Sequence, residues 1–408
     1  MERYINSYAT ENDIQIALEN GELLKPYVAY IEDVDRIDWN SKEIVDYTTE
    51  YLTFNILSAG TINWTASNTA ITKTIDYKLN DNEWTPITSN TGSSAPSITV
   101  NTGDKIQFRG NNAQYTTSYS DYNSFSGSTA SFEVEGNIMS LIYGDDFKNK
   151  LTISSAYTFT GLFRDCTKLV SAENLVLPAT TLVDCCYFYM FYNCASLTTA
   201  PKELPATTLA NSCYAYMFDS CKSLTTAPVL PATTLANGCY DNMFAGCSSL
   251  TTAPELPATT LADSCYNSMF TGCRSLTTAP ELPATTLASS CYDNMFRNCS
   301  SLTTAPALPA TTLADGCYSA MFNGCRSLTT APELPATTLA QNCYSYMFGD
   351  CRSLNYIKCL ATDISASDCT SNWVYNVAST GTFVKNPKMT SWGTGDSGIP
   401  NGWTVQDA

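Results

Sequence analysis

The chain carries eighteen cysteines and no histidine, so thiols dominate whatever side-chain chemistry it has. All eighteen lie between Cys166 and Cys369, mostly in two columns eight residues apart, as in Cys213 with Cys221 and Cys239 with Cys247. Three chemistries suit such columns. The thiols could pair as disulfides within or between repeating units, they could ligate a metal, or they could lie buried and reduced as small hydrophobes. C-x-x-C spacing is missing and the columns are too regular for discrete four-ligand clusters, which weighs against metal. The opening Met1-Glu2-Arg3-Tyr4-Ile5-Asn6-Ser7-Tyr8 has no basic stretch leading into an apolar run, so no secretory leader is read. Assembly in a cytoplasm would keep thiols reduced.

Without histidine the commonest general base, zinc ligand and pH switch are gone. No G-x-x-x-x-G-K-[ST], G-x-G-x-x-G or G-x-S-x-G motif is present. Carboxylates recur at Glu203, Glu255, Glu281 and Glu333, but Val229 and Ala307 fill the same column, and a catalytic pair needs one defined geometry. Adjacent Asp145 and Asp146 lack the further ligands of a calcium loop. The expectation is therefore no enzyme, with no catalytic residue, no cofactor and no metal. A net charge of −17 excludes nucleic acid as a partner by repulsion. No apolar run is long enough to insert in a membrane.

The cysteines are positioned by a repeat, C-Y-x-x-M-F-x-x-C-x-S-L-T-T-A-P-x-L-P-A-T-T-L-A-x-x. Its Cys-Tyr pairs start at Cys186, Cys213, Cys239, Cys265, Cys291, Cys317 and Cys343, one step of 27 residues followed by five of 26. A degenerate first copy runs Phe163-Arg164-Asp165-Cys166-Thr167-Lys168-Leu169. A unit this short cannot bury an apolar face alone. Stacking places each residue over its counterpart, so fixed columns become ladders inside a continuous core. Cys213, Met217, Phe218, Cys221, Cys239, Met243, Phe244 and Cys247 are assigned to such ladders. The helical spacing of Cys213, Met217 and Cys221 predicts a short helix or helical turn ending at the second cysteine. Leu-Pro-Ala-Thr-Thr-Leu predicts an extended segment.

The repeat resembles the BspA-like leucine-rich repeats, which carry a Phe-x-x-Cys-x-x-Leu core followed by an extended segment. The match covers roughly residues 157–360, and Met-Phe-x-x-Cys-x-Ser-Leu is its most specific part. It departs in unit length and in the Ala-Pro-x-Leu-Pro-Ala-Thr-Thr insert. The resemblance implies a right-handed solenoid with a partner-binding face and no enzyme.

The expected fold is mainly β, or α+β: a β-sandwich followed by a leucine-rich-repeat-like solenoid of 26-residue coils. Four units are expected. Residues 1–45 form an acidic N-terminal anchoring module, with a helix at Glu11–Gly21 and a hairpin of Pro26–Asp33 with Arg36–Asn40. Residues 46–143 form the sandwich, its strands at Leu52–Leu57, Gly60–Thr65, Thr74–Leu79, Ser97–Val100, Lys105–Arg109 and Ser131–Glu135. Within it, Tyr115–Phe125 lacks an apolar period and reads as a loop with exposed aromatics. Residues 144–354 form the solenoid, with 144–165 as its N-terminal cap. Residues 355–408 close it, using Trp373, Trp392 and Trp403.

Positions that vary from unit to unit are expected to face solvent. These include Phe188-Tyr189, Ala215-Tyr216, Ser319-Ala320 and Ser345-Tyr346, and the column of Lys222, Arg274, Arg326 and Arg352. Aromatic, Asn/Asp and Arg side chains on a rigid face suit contact with a glycan or a protein. Phe188, Tyr189, Tyr192, Tyr216, Arg274, Arg326, Tyr346 and Arg352 are the candidate contact residues.

The chain also looks like fibre and head-associated virion proteins of tailed, crAss-like phages that infect Bacteroides. The likeness is carried by Tyr4-Ile5-Asn6-Ser7-Tyr8-Ala9-Thr10, by Lys25-Pro26-Tyr27-Val28-Ala29-Tyr30, by Gly136-Asn137-Ile138-Met139-Ser140-Leu141-Ile142-Tyr143 and by the Leu-Pro-Ala-Thr-Thr-Leu repeats. It implies a phage head or tail fibre assembled in the host cytoplasm. Residues 1–45 would dock on other virion proteins, capsid or tail, and the repeats would meet a host surface glycan or protein. Homo-oligomers are expected, a dimer before a trimer, since no heptad enforces three chains. The alternative is an adhesin on a bacterial cell surface.

Overall fold

The computed structural model describes residues 46–390 and 392–408, together with the strands Ala29–Ile31 (β1) and Val34–Ile37 (β2). β1 and β2 pair antiparallel, Ala29 opposite Ile37. The helix expected at Glu11–Gly21 and the rest of the anchoring module lie outside the described residues.

The next strands are β3 (Leu52–Ile56), β4 (Gly60–Asn63), β5 (Thr65–Ala66), β6 (Thr74–Leu79), β7 (Thr85–Thr88), β8 (Ser97–Val100), β9 (Lys105–Arg109), β10 (Asn123–Ser124) and β11 (Phe132–Asn137). A four-residue helix α1 (Ser140–Tyr143) leads to β12 (Leu169–Val176). After the repeats come β13 (Tyr356–Cys359), β14 (Thr382–Lys385) and β15 (Thr404–Asp407). The described residues are mainly strand and turn, and no sheet among them closes into a barrel. One open sheet runs β12-β11-β3-β9-β6-β7, while β4 pairs with β8 and β5 with β10. Sequence reasoning missed β7 and β10, which are short and carry few apolar residues.

Alternation explains the sheet faces. In β9, Ile106 and Phe108 point inward and Lys105 is exposed, and β8 alternates likewise. Phe54 sits at the centre, with its ring 4.7 Å from Phe108, 4.7 Å from Phe132 and 4.8 Å from Phe125. The Trp64 indole nitrogen donates to the Lys73 carbonyl at 2.9 Å, so this buried ring leaves no orphan donor.

β11 pairs in parallel with β12, which is the extended segment of the first coil, so the sheet and the coils share one backbone ladder. From there the coils stack. Phe163, Phe191, Phe218, Phe244, Phe270, Phe296, Phe322 and Phe348 form one column, with neighbouring centroids 5.2 to 5.8 Å apart. Phe159 heads a parallel column that continues through Tyr187 and Tyr214 to Tyr344. Cys213, Met217, Phe218, Cys221, Cys239, Met243, Phe244 and Cys247 are all fully buried.

The expected helix is not there. Alternate amides between Ser212 and Cys221 bond in two directions. Ala215 N donates to Ser212 O at 3.2 Å, and Met217 N donates to Tyr214 O at 3.2 Å, closing tight turns within the coil. Between them, Tyr214 N donates to Cys239 O at 3.0 Å and Tyr216 N to Asp241 O at 2.8 Å, in the next coil. A helix would spend every amide inside the segment and leave none for stacking. The backbone achieves this by entering the left-handed region every fourth residue, as at Ser212, Tyr216 and Ser220 with φ of 49°, 57° and 64°. The four-residue spacing of Cys213, Met217 and Cys221 therefore comes from a ribbon of turns that imitates the helical period.

The Leu-Thr-Thr-Ala-Pro and Leu-Pro-Ala-Thr-Thr segments meet their counterparts through single parallel bridges, such as Thr252 with Thr278 and Thr260 with Thr286, rather than through named strands. Each unit there has two prolines, and proline cannot donate to a ladder. Where Ala-Pro is absent, in β12 and β13, full strands form.

Both ends of the ring columns are covered, though differently than expected at the first. Residues 157–166 already follow the coil pattern, with left-handed Tyr157, Gly161 and Asp165. The rings that cover them come from Tyr115, stacked on Phe159 at 6.3 Å, and Phe125, stacked on Phe163 at 5.8 Å. Tyr115 and Phe125, expected as exposed loop aromatics, are thus fully buried, and the Tyr115 hydroxyl donates to the Leu141 carbonyl. At the other end Trp373 lies 6.2 Å from both Tyr344 and Phe348 and stacks on Trp392 at 5.8 Å.

Candidate contact face

Buried columns leave the chain's variation to the outer side of the turn ribbon. There the middle left-handed column reads Gly161, Tyr189, Tyr216, Asn242, Ser268, Asn294, Ala320, Tyr346 and Asn372. Glycine and asparagine occupy this conformation cheaply, whereas a bulky side chain in it is an outlier costing roughly 1–2 kcal/mol. Tyr189 and Tyr216 both sit at φ 57° and Tyr346 at 53°. Tyrosine at these positions opposes the local backbone preference, and that kind of strain clusters at functional sites.

Four candidate residues come together. The Tyr189 ring lies 4.3 Å from Phe188, 5.0 Å from Tyr192 and 4.8 Å from Tyr216. All four are half-buried. Tyr122, which precedes β10, extends the row. It lies over Gly161, where a Cβ would stand 3.2 Å from its ring, so glycine is what lets the sheet region place a tyrosine in this column. The Arg164 guanidinium is ringed by Tyr122, Tyr189 and Tyr192, each 5.0 Å from its carbon. Its Nε lies 3.5 Å from an Asp165 carboxylate oxygen, an ion pair without hydrogen-bond geometry.

The far edge of the row is acidic. Asp241 lies against the Tyr216 phenol, and burial and then Asp241 push that phenol up to about 12. Burial pushes the Asp241 carboxyl up to about 6, against hydrogen bonds from Asn242 and Tyr216. Asp219 and Asp293 are also raised, again chiefly by burial. Tyr122, Arg164, Asp219 and Asp241 were missed from the sequence. Asp241 follows Cys239-Tyr240 as Phe188 follows Cys186-Tyr187, at a position that varies from unit to unit, and Arg164 stands in the column of Tyr192 and Asp219, but nothing local linked them to Tyr122.

The other candidates stand apart. Arg274, Arg326 and Arg352 are exposed on their own column, Arg352 Nη2 reaching Asp350 at 3.4 Å. Tyr346 is 45% exposed, and its hydroxyl accepts from Asn372 Nδ2 at 2.9 Å. It follows Tyr216 by five coils, about 24 Å at ~4.8 Å per coil. Not every variable position faces solvent: Ala215, Ala320 and Ser345 are buried, because small side chains there tuck beneath neighbouring coils.

The remaining reactive groups are engaged in structure. All eighteen cysteines are free thiols, seventeen of them buried and Cys185 half-buried. In the second column each Sγ donates to a phenylalanine carbonyl one coil back, as Cys247 to Phe218 at 3.1 Å and Cys273 to Phe244 at 3.1 Å. Burial raises the Cys299 and Cys351 thiols to about 12, which keeps them protonated donors. Asp145 is held by Arg109 at 2.7 Å and by the Tyr51 hydroxyl at 2.8 Å. Among the described residues, no group of three or more His, Cys, Asp or Glu could hold a metal ion, and no helix is long and apolar enough to cross a membrane.

Comparison with known proteins gives a family match. The family described as BspA type Leucine rich repeat region (6 copies) matches residues 146–265 and 214–355, together more than half of the chain. No curated protein matches. Among solved structures, a leucine-rich repeat protein from Bacteroides ovatus is 16% identical, with 68% of this chain and 86% of that one covered and a TM-score of 0.28. The leucine-rich repeat protein of T. pallidum is 17% identical, over 53% of this chain and 72% of that one, with a TM-score of 0.22.

Proposed function

The chain belongs to the BspA-type leucine-rich repeat family, and from that premise we propose that it is a non-enzymatic display protein, a solenoid that holds a contact face at the surface of a particle or cell. One observation carries this reading: tyrosines at sterically costly left-handed positions make a half-buried row, while the fixed Cys, Tyr, Met and Phe columns beside them are buried. The fixed columns make the rod, and the row is what the rod presents. The finer reading puts the protein on a phage particle, as a head or tail fibre docked through residues 1–45. It is supported by the resemblance of Tyr4–Thr10 and Lys25–Tyr30 to such fibres, and by 12 acidic against 4 basic side chains in the first fifty residues, a charge suited to a basic docking site. Homo-oligomerisation, a dimer before a trimer, belongs to the same reading.

Two measurements test it. Mass spectrometry of purified virions should find the protein, and deletion of residues 1–45 should remove it from them; particles that keep the truncated protein would refute the docking role. Purified chain should adsorb saturably to Bacteroides cells, and adsorption no greater than to unrelated cells would refute the display role.

A further inference from the structure

We propose that the row formed by Tyr122, Tyr189 and Tyr216, flanked by Phe188 and Tyr192, binds a neutral oligosaccharide lying along the coil axis. This deepens the display reading and rests on it.

Shape is the first argument. The Tyr189 and Tyr216 rings come from successive coils with centroids 4.8 Å apart and planes at 41°, so two rings follow one another along the stack at a spacing comparable to one sugar ring. The Tyr189 and Tyr192 rings are held by the Arg164 guanidinium, 5.0 Å from each. Such rigid, half-exposed aromatics offer flat faces at little entropic cost. The C–H bonds on one side of a pyranose carry partial positive charge and meet the negative face of an aromatic ring. Phenol hydroxyls and the carboxylates of Asp219 and Asp241, the latter bonded by Asn242 Nδ2 at 2.7 Å, lie beside the rings, where they can take sugar hydroxyls.

Charge decides which sugar. Arg164 is the cation inside the row, and three rings and Asp165 already engage it. Asp219 and Asp241 both act electrostatically on Tyr189 and Tyr216. With a net charge of −17 around them, an acidic glycan would meet repulsion at the row and no unspent cation within it. A protein partner fits less well, since an interface of ordinary size wants about 800 Å² a side around an apolar centre. This row is narrow, and its neighbours in the same column are Asn242, Ser268 and Asn294.

The test uses the full chain with Tyr189→Asn and Tyr216→Asn. Asparagine is what the column itself uses elsewhere, so these variants keep the coil. Binding is measured by calorimetry against neutral hexaoses in gluco, manno, xylo and N-acetylglucosamine configurations, and against oligogalacturonate and sialylated oligosaccharides. The expected result is binding to at least one neutral hexaose, weakened about fivefold to tenfold by each substitution, with none to the acidic set. Failure on every neutral hexaose, preference for acidic glycans, or affinity untouched by both substitutions would overturn the proposal. Cells supply the separating control. Adsorption that survives periodate but not protease would mean a protein receptor, which sinks the glycan assignment and leaves the display reading standing.

Discussion

Replacing Gly272 with alanine separates two accounts of the repeat by the sign of its effect. Gly272 sits just before Cys273, where the sequence reads as the end of a short helix. In a helix, glycine to alanine stabilises by roughly 0.5–1 kcal/mol. In the structure, Gly272 has φ +75°, and an added Cβ would meet nothing closer than the Gly246 backbone at 3.7 Å, an ordinary contact. Sterics outside the residue thus contribute little, and what remains is the cost of a left-handed alanine, roughly 1–2 kcal/mol. The smaller unfolded-state entropy of alanine offsets about 0.4–1 kcal/mol of that. The net expectation is a loss of about 1 kcal/mol, read as a lower urea midpoint at unchanged m. The reciprocal change, Ala320→Gly at φ 48°, should raise the midpoint by a similar amount. A Gly272→Ala variant as stable as the parent, or more so, would refute the alternating turn ribbon.

Three further outcomes follow from the same geometry. Phe270→Ala empties a fully buried site between rings 5.7 Å away on each side; it should cost about 3–5 kcal/mol, and calorimetry should then resolve separate transitions for the coils on either side. Asp241 is easier to protonate folded than unfolded, so its contribution is greatest below the unfolded value of 3.8 and is lost as pH rises through about 6. Asp241→Asn should flatten that part of the Tm profile between pH 4 and 7 and raise stability at pH 7 by on the order of 2 kcal/mol, discounted for partial exposure; an unchanged profile would count against the burial of this carboxylate. Thiol reagent added to native protein should label Cys185 slowly and the other seventeen cysteines only after denaturant, because Cys185 alone is half-buried and burial raises even its thiol; rapid labelling of several sites would mean that the columns are wet.

What could be read from the sequence was what repetition encodes. Leu250, Met243, Phe244 and Cys247 recur because each must match the residue stacked on it, and a period is visible without knowing the path between its points. The path was not visible, because Cys213, Met217 and Cys221 have the same spacing on a helix as on a ribbon that turns left every fourth residue. The discriminating signal lay in the columns between them. Gly238, Asn242 and Gly246 in one coil, and Ser290, Asn294 and Asn298 in another, are residues that tolerate positive φ and weaken a helix. Tyr115 and Phe125 were illegible for a different reason. Their neighbours in sequence are polar, and what buries them is Phe159 and Phe163, some forty positions on.

The same reasoning explains why the contact row stands at the sheet end of the stack. A coil in the interior of the array has its outer surface set by what its own residues and two neighbours allow. The first coils have a further neighbour, the sheet region, which covers the ring columns with Tyr115 and Phe125 and projects Tyr122 over Gly161. Arg164 of the first coil then holds Tyr122 against Tyr189 and Tyr192 of the next, so one cation joins a residue of the sheet region to two side chains of a coil. An aromatic contact loses least entropy on binding where its rings are already held, as they are where these parts meet. Strained tyrosines gathered at that junction, with asparagine or serine in the same column of the next three coils, fit a face that concentrates its contacts at its best-braced point.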